Sequence, residues 1–307
     1  MAATVLSPAE VERLIDRQPN LVAPSSAAQR LLELTSDPSL QVTPKEVAYL
    51  VQSEPSLSAH LLHWVNSAIF SLPSAVTDIE RAVNLVGLKR VRTLALSQAF
   101  LAKGASGALD AYDLSGVAFC LHAVETAVGA AFLMKEKNPA RESETFTAGL
   151  LHDIGMLLMQ AVADSTTKIV PLLPSDRPID QAERQRFGVD HCMLGAHLAK
   201  RWRLSEDQIA IIGGHHRMRA SAPLSGLGSL PDEAGPWEGP ADDVALFVQI
   251  ADRCSERRLG MTRNTSDDED LCLFDDVLED EEMMTALHEE MDVGNVLLTT
   301  LFGIEAE

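Results

Sequence analysis

Signals for the start of a helix recur along this sequence, and they constrain its fold more than any other feature. Each places a Ser or Thr three residues before a Glu or Gln. The hydroxyl can accept from the backbone N–H of the Glu or Gln, and the Glu or Gln side chain can accept from the backbone N–H of the Ser or Thr. Two of them also carry proline at the first helical position, where its fixed φ suits a helix. The four signals are Ser7-Pro8-Ala9-Glu10, Thr43-Pro44-Lys45-Glu46, Thr77-Asp78-Ile79-Glu80 and Ser205-Glu206-Asp207-Gln208.

Apolar residues between these signals return at helical spacing. No segment shows the sustained alternation that is typical of a strand. Aromatic residues make up only 5% of the chain, which disfavours a β-sandwich. We therefore predict an all-α protein of roughly a dozen helices. The clearest periodic runs are Leu88, Val91, Leu94, Leu101 and Val117, Leu121, Val124, Val128, Phe132.

The apolar pattern is interrupted once in the middle of the chain and twice near its end. Small residues and two glycines fill residues 102–111, which predicts a boundary between helical units at 1–105 and 106–307. Residues 219–239 are rich in proline and glycine and predict a long surface loop. Ten acidic residues crowd the segment 267–282, which we interpret as a solvated face or a flexible insert.

The charge balance argues against general nucleic-acid binding. The chain holds 45 acidic residues against 25 Lys and Arg, for a formal net charge of −20. A surface of that sign repels phosphate backbones unless basic residues are strongly localised. Lys89, Arg90 and Arg92 form a small basic group on the second of two helices predicted around Gly87, which leaves a helix-turn-helix regulator as an alternative.

The chain carries no sign of export or of membrane insertion. Its first residues lack a basic segment followed by an apolar one, and its four cysteines form no CxxC pair. The longest apolar stretch, residues 117–133, contains His122, Glu125 and Gly129, which favours a buried helix over a membrane span. We expect a cytoplasmic protein with reduced thiols and no membrane partner.

Histidine and aspartate residues near apolar helices suggest a metal site. A buried carboxylate is costly unless it is paired or binds a cation. Taken singly, each of these residues could be a helix cap or a satisfied core residue. Together, neutral imidazoles and carboxylates without thiolates suit divalent Fe, Mn, Ni or Zn. The candidate ligands are His122, His152, Asp153, His191, His215, His216 and Asp252.

Several phrases of this sequence resemble the HDOD family, a branch of the HD superfamily of metal-dependent phosphohydrolases. The resemblance covers roughly residues 20–260. It implies a two-lobed, all-α, HD-type fold and assigns His152 and Asp153 as the name-giving pair. The phrases are Ser53-Glu54-Pro55-Ser56-Leu57-Ser58, Val65-Asn66-Ser67-Ala68-Ile69-Phe70, Leu85-Val86-Gly87-Leu88-Lys89-Arg90-Val91-Arg92, Ala148-Gly149-Leu150-Leu151-His152-Asp153-Ile154-Gly155 and Gly188-Val189-Asp190-His191.

The resemblance also implies roles for the remaining candidate ligands. His122 is similar to the first histidine of the superfamily and Asp252 to its final aspartate, and the other three histidines match extra ligands of two-metal relatives of the HD-GYP type. Two features depart from those enzymes. Met156 stands where they have a lysine that contacts phosphate, and Arg217-Met218-Arg219 replaces their Gly-Tyr-Pro signature.

These observations leave three functions open. The first is a regulatory output module of signal transduction, with a protein partner and a divalent metal in a degenerate HD site. The second is a phosphohydrolase acting on a nucleotide or cyclic dinucleotide, with His152 and Asp153 catalytic. The third is the helix-turn-helix regulator. Because Met156 offers phosphate neither charge nor a donor, we favour the non-catalytic module, for which a nucleotide remains a candidate ligand.

Overall fold

The computed structural model describes most of the chain. The residues that it describes are 8–16, 26–36, 42–66, 74–106, 109–162, 179–216, 243–259, 261 and 281–302. The loop expected at 219–239, Arg217 and Arg219, and residues 267–280 of the acidic segment lie outside them. Glu281 and Glu282, the last two residues of that segment, begin the final helix.

The predicted all-α fold is confirmed. Within the described residues there is no β-strand, and the helices are joined by two 3₁₀ turns at Asp110–Tyr112 and Pro139–Arg141 and by a single bridge between Leu109 and Leu114. The α-helices are α1 (Pro8–Asp16), α2 (Ser26–Ser36), α3 (Pro44–Gln52), α4 (Pro55–Val65), α5 (Ile79–Val86), α6 (Leu88–Ser106), α7 (Gly116–Lys137), α8 (Glu142–Leu151), α9 (Gly155–Val162), α10 (Ile179–Phe187), α11 (His191–Arg201), α12 (Glu206–Gly214), α13 (Asp243–Arg258) and α14 (Glu281–Phe302).

Two of the predicted capping boxes form as expected. The Thr43 side chain accepts from the backbone of Glu46, and Ser205 does the same with Gln208, each with the reciprocal contact present. At α5 the prediction is wrong by one residue, because Asp78 rather than Thr77 caps the helix and accepts from Arg81 N. A carboxylate at this position accepts a hydrogen bond from an otherwise unpaired N–H of the first turn. Its negative charge also interacts favourably with the positive end of the helix dipole. Ser7 lies outside the described residues.

The apolar side chains form three packed groups that meet at α6 and α7. The first joins α2–α5 to the N-terminal half of α6. The second joins the C-terminal half of α6, including Phe100 and Leu101, to α7–α12. The third packs α13 and α14 on α7 and α8. The division of the chain at residue 105 stays a prediction.

The glycine-rich stretch at 102–111 does not break the helix where expected. Helix α6 continues through Gly104 to Ser106. A Cβ on Gly104 would lie 2.9 Å from both Phe119 and Cys120 of α7. The glycine therefore serves the close approach of two helices rather than a turn.

Helix α7 is the central element of the fold. Gly116–Lys135 is long and apolar enough to cross a membrane by length and composition, and 78% of its most apolar window is buried inside the protein. It packs against α6, α8, α13 and α14. Its apolar character is therefore accounted for by its position in the core, as the sequence predicted.

Helices α5 and α6 have the outline of a helix-turn-helix, with Gly87 at φ +86 between them. The second helix is not free to enter a groove, because it packs against α2, α4, α7 and α8 and buries Val91, Leu94, Ala95 and Leu96. Arg90 pairs with Glu142 at 3.4 Å. This packing argues against the helix-turn-helix alternative.

Candidate metal centre

The predicted ligands come from five helical segments. Six of the seven side chains are buried, and His216 is half-buried. His122 lies in the middle of α7 and Asp252 on α13, while His152 and Asp153 form the turn between α8 and α9. His191 is the first residue of α11, and His215 and His216 follow α12. The structure therefore brings together all seven residues that the sequence singled out.

The first ligand group contains two imidazoles and two carboxylates. His122 Nε2 lies 3.2 Å from His152 Nε2 and 3.2 Å from Asp252 Oδ1. His152 Nε2 lies 3.4 Å from Asp252 Oδ1, and both rings lie 3.6 Å from Asp153 Oδ2. Ligands held at about 2.1 Å from a shared tetrahedral ion are separated by about 3.4 Å. These residues therefore fit a metal.

The second ligand group uses the other oxygen of the same carboxylate. Asp153 Oδ1 lies 3.4 Å from His191 Nε2 and 3.4 Å from His215 Nε2, and those two nitrogens are 3.3 Å apart. His216 Nε2 lies 3.1 Å from His191 Nε2. Asp153 thus faces both groups, with one oxygen toward each.

Hydrogen bonds at Nδ1, the ring nitrogen that faces away from the centre, orient four of the imidazoles. His152 Nδ1 donates to Gly149 O at 2.6 Å, and His215 Nδ1 to Ile212 O at 2.9 Å. Because a backbone carbonyl can only accept, Nδ1 carries a proton in both rings. Nε2 is therefore the nitrogen that can ligate a metal, once any proton on it has left.

A carboxylate orients the third ring directly, and a serine hydroxyl that donates to a carboxylate orients the fourth. His191 Nδ1 lies 2.7 Å from Glu183, which also accepts from the backbone N of His191. His122 Nδ1 lies 3.2 Å from Ser255 Oγ, which donates to Glu125 at 2.9 Å. A carboxylate behind a ligating imidazole increases its basicity as well as fixing its ring.

The electrostatics of the centre favour a cation. Burial raises the pKa of Asp252, but hydrogen bonds from His122 and His152 override it and hold that pKa well below its usual range. Burial lowers the pKa of His152, yet the charges of Asp153 and Asp252 outweigh it and raise that pKa to about 9. Burial lowers the pKa of His215, which keeps this ring neutral and able to ligate.

Sequence reasoning missed two side chains beside the second group. Cys192 Sγ lies 3.5 Å from His191 Nε2 and 3.8 Å from His215 Nδ1. Burial raises the pKa of this thiol, so a proton must leave before its sulfur can ligate. Glu183, on α10, carried no recognisable sequence signal, whereas the His191-Cys192 neighbourhood was visible in the sequence.

The contact between His191 and Glu183 gives a testable expectation. Glu183→Gln should weaken metal binding at the second group by about 10- to 100-fold, because the amide accepts less strongly from Nδ1 and leaves the ring less basic. The measurement is a metal titration against a competing chelator. Tyr112→Phe is the matched control, since Tyr112 donates at 2.5 Å to Oε1 of the same carboxylate, whereas His191 contacts Oε2. Equal loss in both variants would contradict the role given to Glu183.

A backbone contact places the two ligand groups side by side. Helix α9 begins at Gly155, and a Cβ at that position would lie 1.8 Å from His191 O and 2.6 Å from Gly195 N. The starts of α9 and α11 therefore touch through their backbones. This contact sets Asp153 against His191.

Comparisons with known proteins agree on the fold. The sequence profile of the HDOD domain family matches residues 21–218. A crystal structure of an HDOD domain protein with unknown function from Geobacter sulfurreducens is 23% identical, with a TM-score of 0.64 over 94% of this chain and 97% of that one. A candidate phosphohydrolase from Shewanella amazonensis SB2B is 22% identical, with a TM-score of 0.63 over 96% and 98% of the two chains.

One curated relative is longer than this chain. An uncharacterized protein of Treponema pallidum (strain Nichols) is 28% identical over 213 residues. The match includes 68% of this chain and 40% of the relative. The chain thus aligns with less than half of that protein.

Proposed function

The chain belongs to the HDOD domain family, and from this membership we propose that it is a regulatory module of signal transduction whose HD-type centre binds divalent metal. We further propose that its output is a contact with a protein partner. The observation that carries the metal assignment is the convergence of Nε2 atoms from four histidines on the two carboxylates of Asp153 and Asp252, with the Nε2 of His216 beside that of His191. No thiolate is needed to complete the first group, so Fe, Mn, Ni and Zn all suit its nitrogen and oxygen donors.

Metal analysis tests this proposal directly. The full chain, purified without chelator and without nickel affinity resin, should carry about one or two divalent ions, because the described residues include two groups of suitable spacing. These groups are His122, His152 and Asp153, and His191, Cys192, His215 and His216. Absence of bound metal after loading with Fe²⁺, Mn²⁺, Ni²⁺ and Zn²⁺ in turn would contradict it.

The surroundings of Met156 support a non-catalytic role. Phosphoryl transfer depends on groups that position phosphate and neutralise its charge. Met156 is fully buried in the second apolar group, where it packs as a core residue. It supplies neither function at the place where the resembling enzymes have lysine.

A phosphohydrolase is the second candidate, and the position of Asp153 favours it. A carboxylate with one oxygen toward each ligand group suits a pair of ions, and bound divalent ions polarise phosphoryl oxygens and lower the pKa of water. His152 and Asp153 would then be the residues on which turnover depends.

Turnover assays separate the two candidates. We expect metal-loaded protein to release no product from cyclic dinucleotides or a chromogenic phosphodiester, with Mn²⁺ or Fe²⁺ supplied. An HD-GYP phosphodiesterase is the positive control. Product that forms with the wild type and disappears in both His152→Ala and Asp153→Ala would establish the enzyme and reject the non-catalytic module.

A further inference from the structure

A cleft separate from the metal ligands lies between the N-terminal helices and α8. It has a volume of about 460 Å³, within the range of small-molecule sites. Helices α2 and α6 form one wall, and α8 with the start of α12 forms the other. None of the seven candidate ligands lines it.

The cleft holds positive charge without a matching anion. Lys89 and Arg92 line it, and within the described residues neither forms an ion pair. Arg92 is half-buried, and the hydrogen bond that it donates is a 3.4 Å contact with Arg203 O. Glu144 also lines the cleft but pairs with Arg141 at 3.2 Å. Taking a guanidinium out of water without a counter-charge is costly.

Burial also disfavours the charged form of this arginine. It lowers the pKa of the Arg92 guanidinium, as expected where the charged form has lost water and gained no carboxylate. Arg90, two residues earlier on the same helix, differs because it pairs with Glu142. An anion in the cleft would give Arg92 the partner that Arg90 already has.

The remaining lining is partly hydroxylic and partly apolar. Thr93 and Thr147 form a buried hydrogen bond of 2.8 Å across the floor, joining α6 to α8. Leu88 and Leu96 stand on the α6 side. An inorganic anion would not contact Leu88 and Leu96, whereas a ligand with an organic group attached to its anion would pack against both side chains.

We propose that this cleft binds a small organic phosphate of mononucleotide size, with its phosphate on Arg92 and Lys89 and its organic body against Leu88 and Leu96. Guanidinium groups bind phosphate through paired, charge-assisted hydrogen bonds. The proposal does not depend on metal binding or on the regulatory role.

Isothermal titration of the full chain with AMP and GMP tests the site. At least one nucleotide should bind the wild type, and Arg92→Gln should weaken binding at least about tenfold, because a charge-assisted hydrogen bond is lost. Arg90→Gln is the matched control and should stay within about twofold, since its surface pair contributes little. Lys89→Gln, at an exposed position, supplies a second variant and should also weaken binding.

Two further measurements distinguish binding in the cleft from binding at the metal centre and from a loss of folding. Asp252→Asn alters the metal centre and should leave nucleotide binding unchanged. The unfolding temperature of ligand-free Arg92→Gln should equal or exceed that of the wild type, because a poorly compensated charge is removed. The proposal is overturned if neither nucleotide binds, if Arg92→Gln binds as the wild type does, if Asp252→Asn abolishes binding, or if Arg92→Gln unfolds at a lower temperature.

Discussion

Asp153→Asn is expected to empty both halves of the metal centre. Its two carboxylate oxygens face different ligand groups, at 3.6 Å from His152 Nε2 and 3.4 Å from His191 Nε2. The substitution removes the charge shared by both groups and replaces one donor oxygen with an NH₂. Metal affinity should fall by more than about 100-fold, beyond the effect of an outer-shell change. Metal content per chain after gel filtration measures it.

Two variants calibrate that result. Asp252→Asn touches only the first group and should lower metal content while leaving the second group able to load. Asp207→Asn changes an exposed aspartate in the first turn of α12 and should leave metal content as in the wild type. If Asp153→Asn retains the wild-type metal content, Asp153 is not a ligand.

Gly155→Ala is expected to be the most destabilising single-methyl substitution in the site. The new Cβ would lie 1.8 Å from His191 O, so the starts of α9 and α11 must separate. The obstructing atoms belong to backbone, which cannot rotate away as a side chain could. We expect a loss of about 4 kcal/mol or more in the free energy of unfolding. Denaturant titration followed by circular dichroism measures this loss.

Gly213→Ala is the matched control for Gly155→Ala. It also adds a methyl group to a helical glycine of the same region, but the new Cβ lies 3.1 Å from the Cβ of Ala196. The gain in helix propensity offsets this mild crowding, so stability should change by less than about 1 kcal/mol. Equal stability of the two variants would show that the close approach at Gly155 is not a constraint.

Local patterns predicted the helices well, because capping and apolar periodicity act within a few residues. The boxes at Thr43 and Ser205 form as expected. The cap of α5 was misplaced by one residue for a local reason, whereas the break expected near residue 104 failed because of a tertiary contact. Gly104 suggested the end of a helix, but it lies inside α6. A glycine is needed there because Phe119 and Cys120 leave no room for a side chain.

The candidate ligands could be chosen from the sequence because a family resemblance assigned them. The side chains that orient those ligands by hydrogen bonds could not be chosen in this way. Glu183 and Ser255 lie on helices whose approach to His191 and His122 depends on the packing of the whole molecule. The cleft at Arg92 was invisible for the same reason. Its basic residues stood out in the sequence, but their lack of ion-pair partners became apparent only after folding.

The burial of six of the seven candidate ligands affects how fast metal can exchange. His122, His152 and His191 have no exposed surface, and the half-buried His216 is the most accessible of the set. An ion can leave only when the helices around it open, so its residence time would follow the opening rate and not its equilibrium affinity. Removal by a chelator should then be slow and independent of chelator concentration. The metal found after purification would therefore reflect which ion was present during folding.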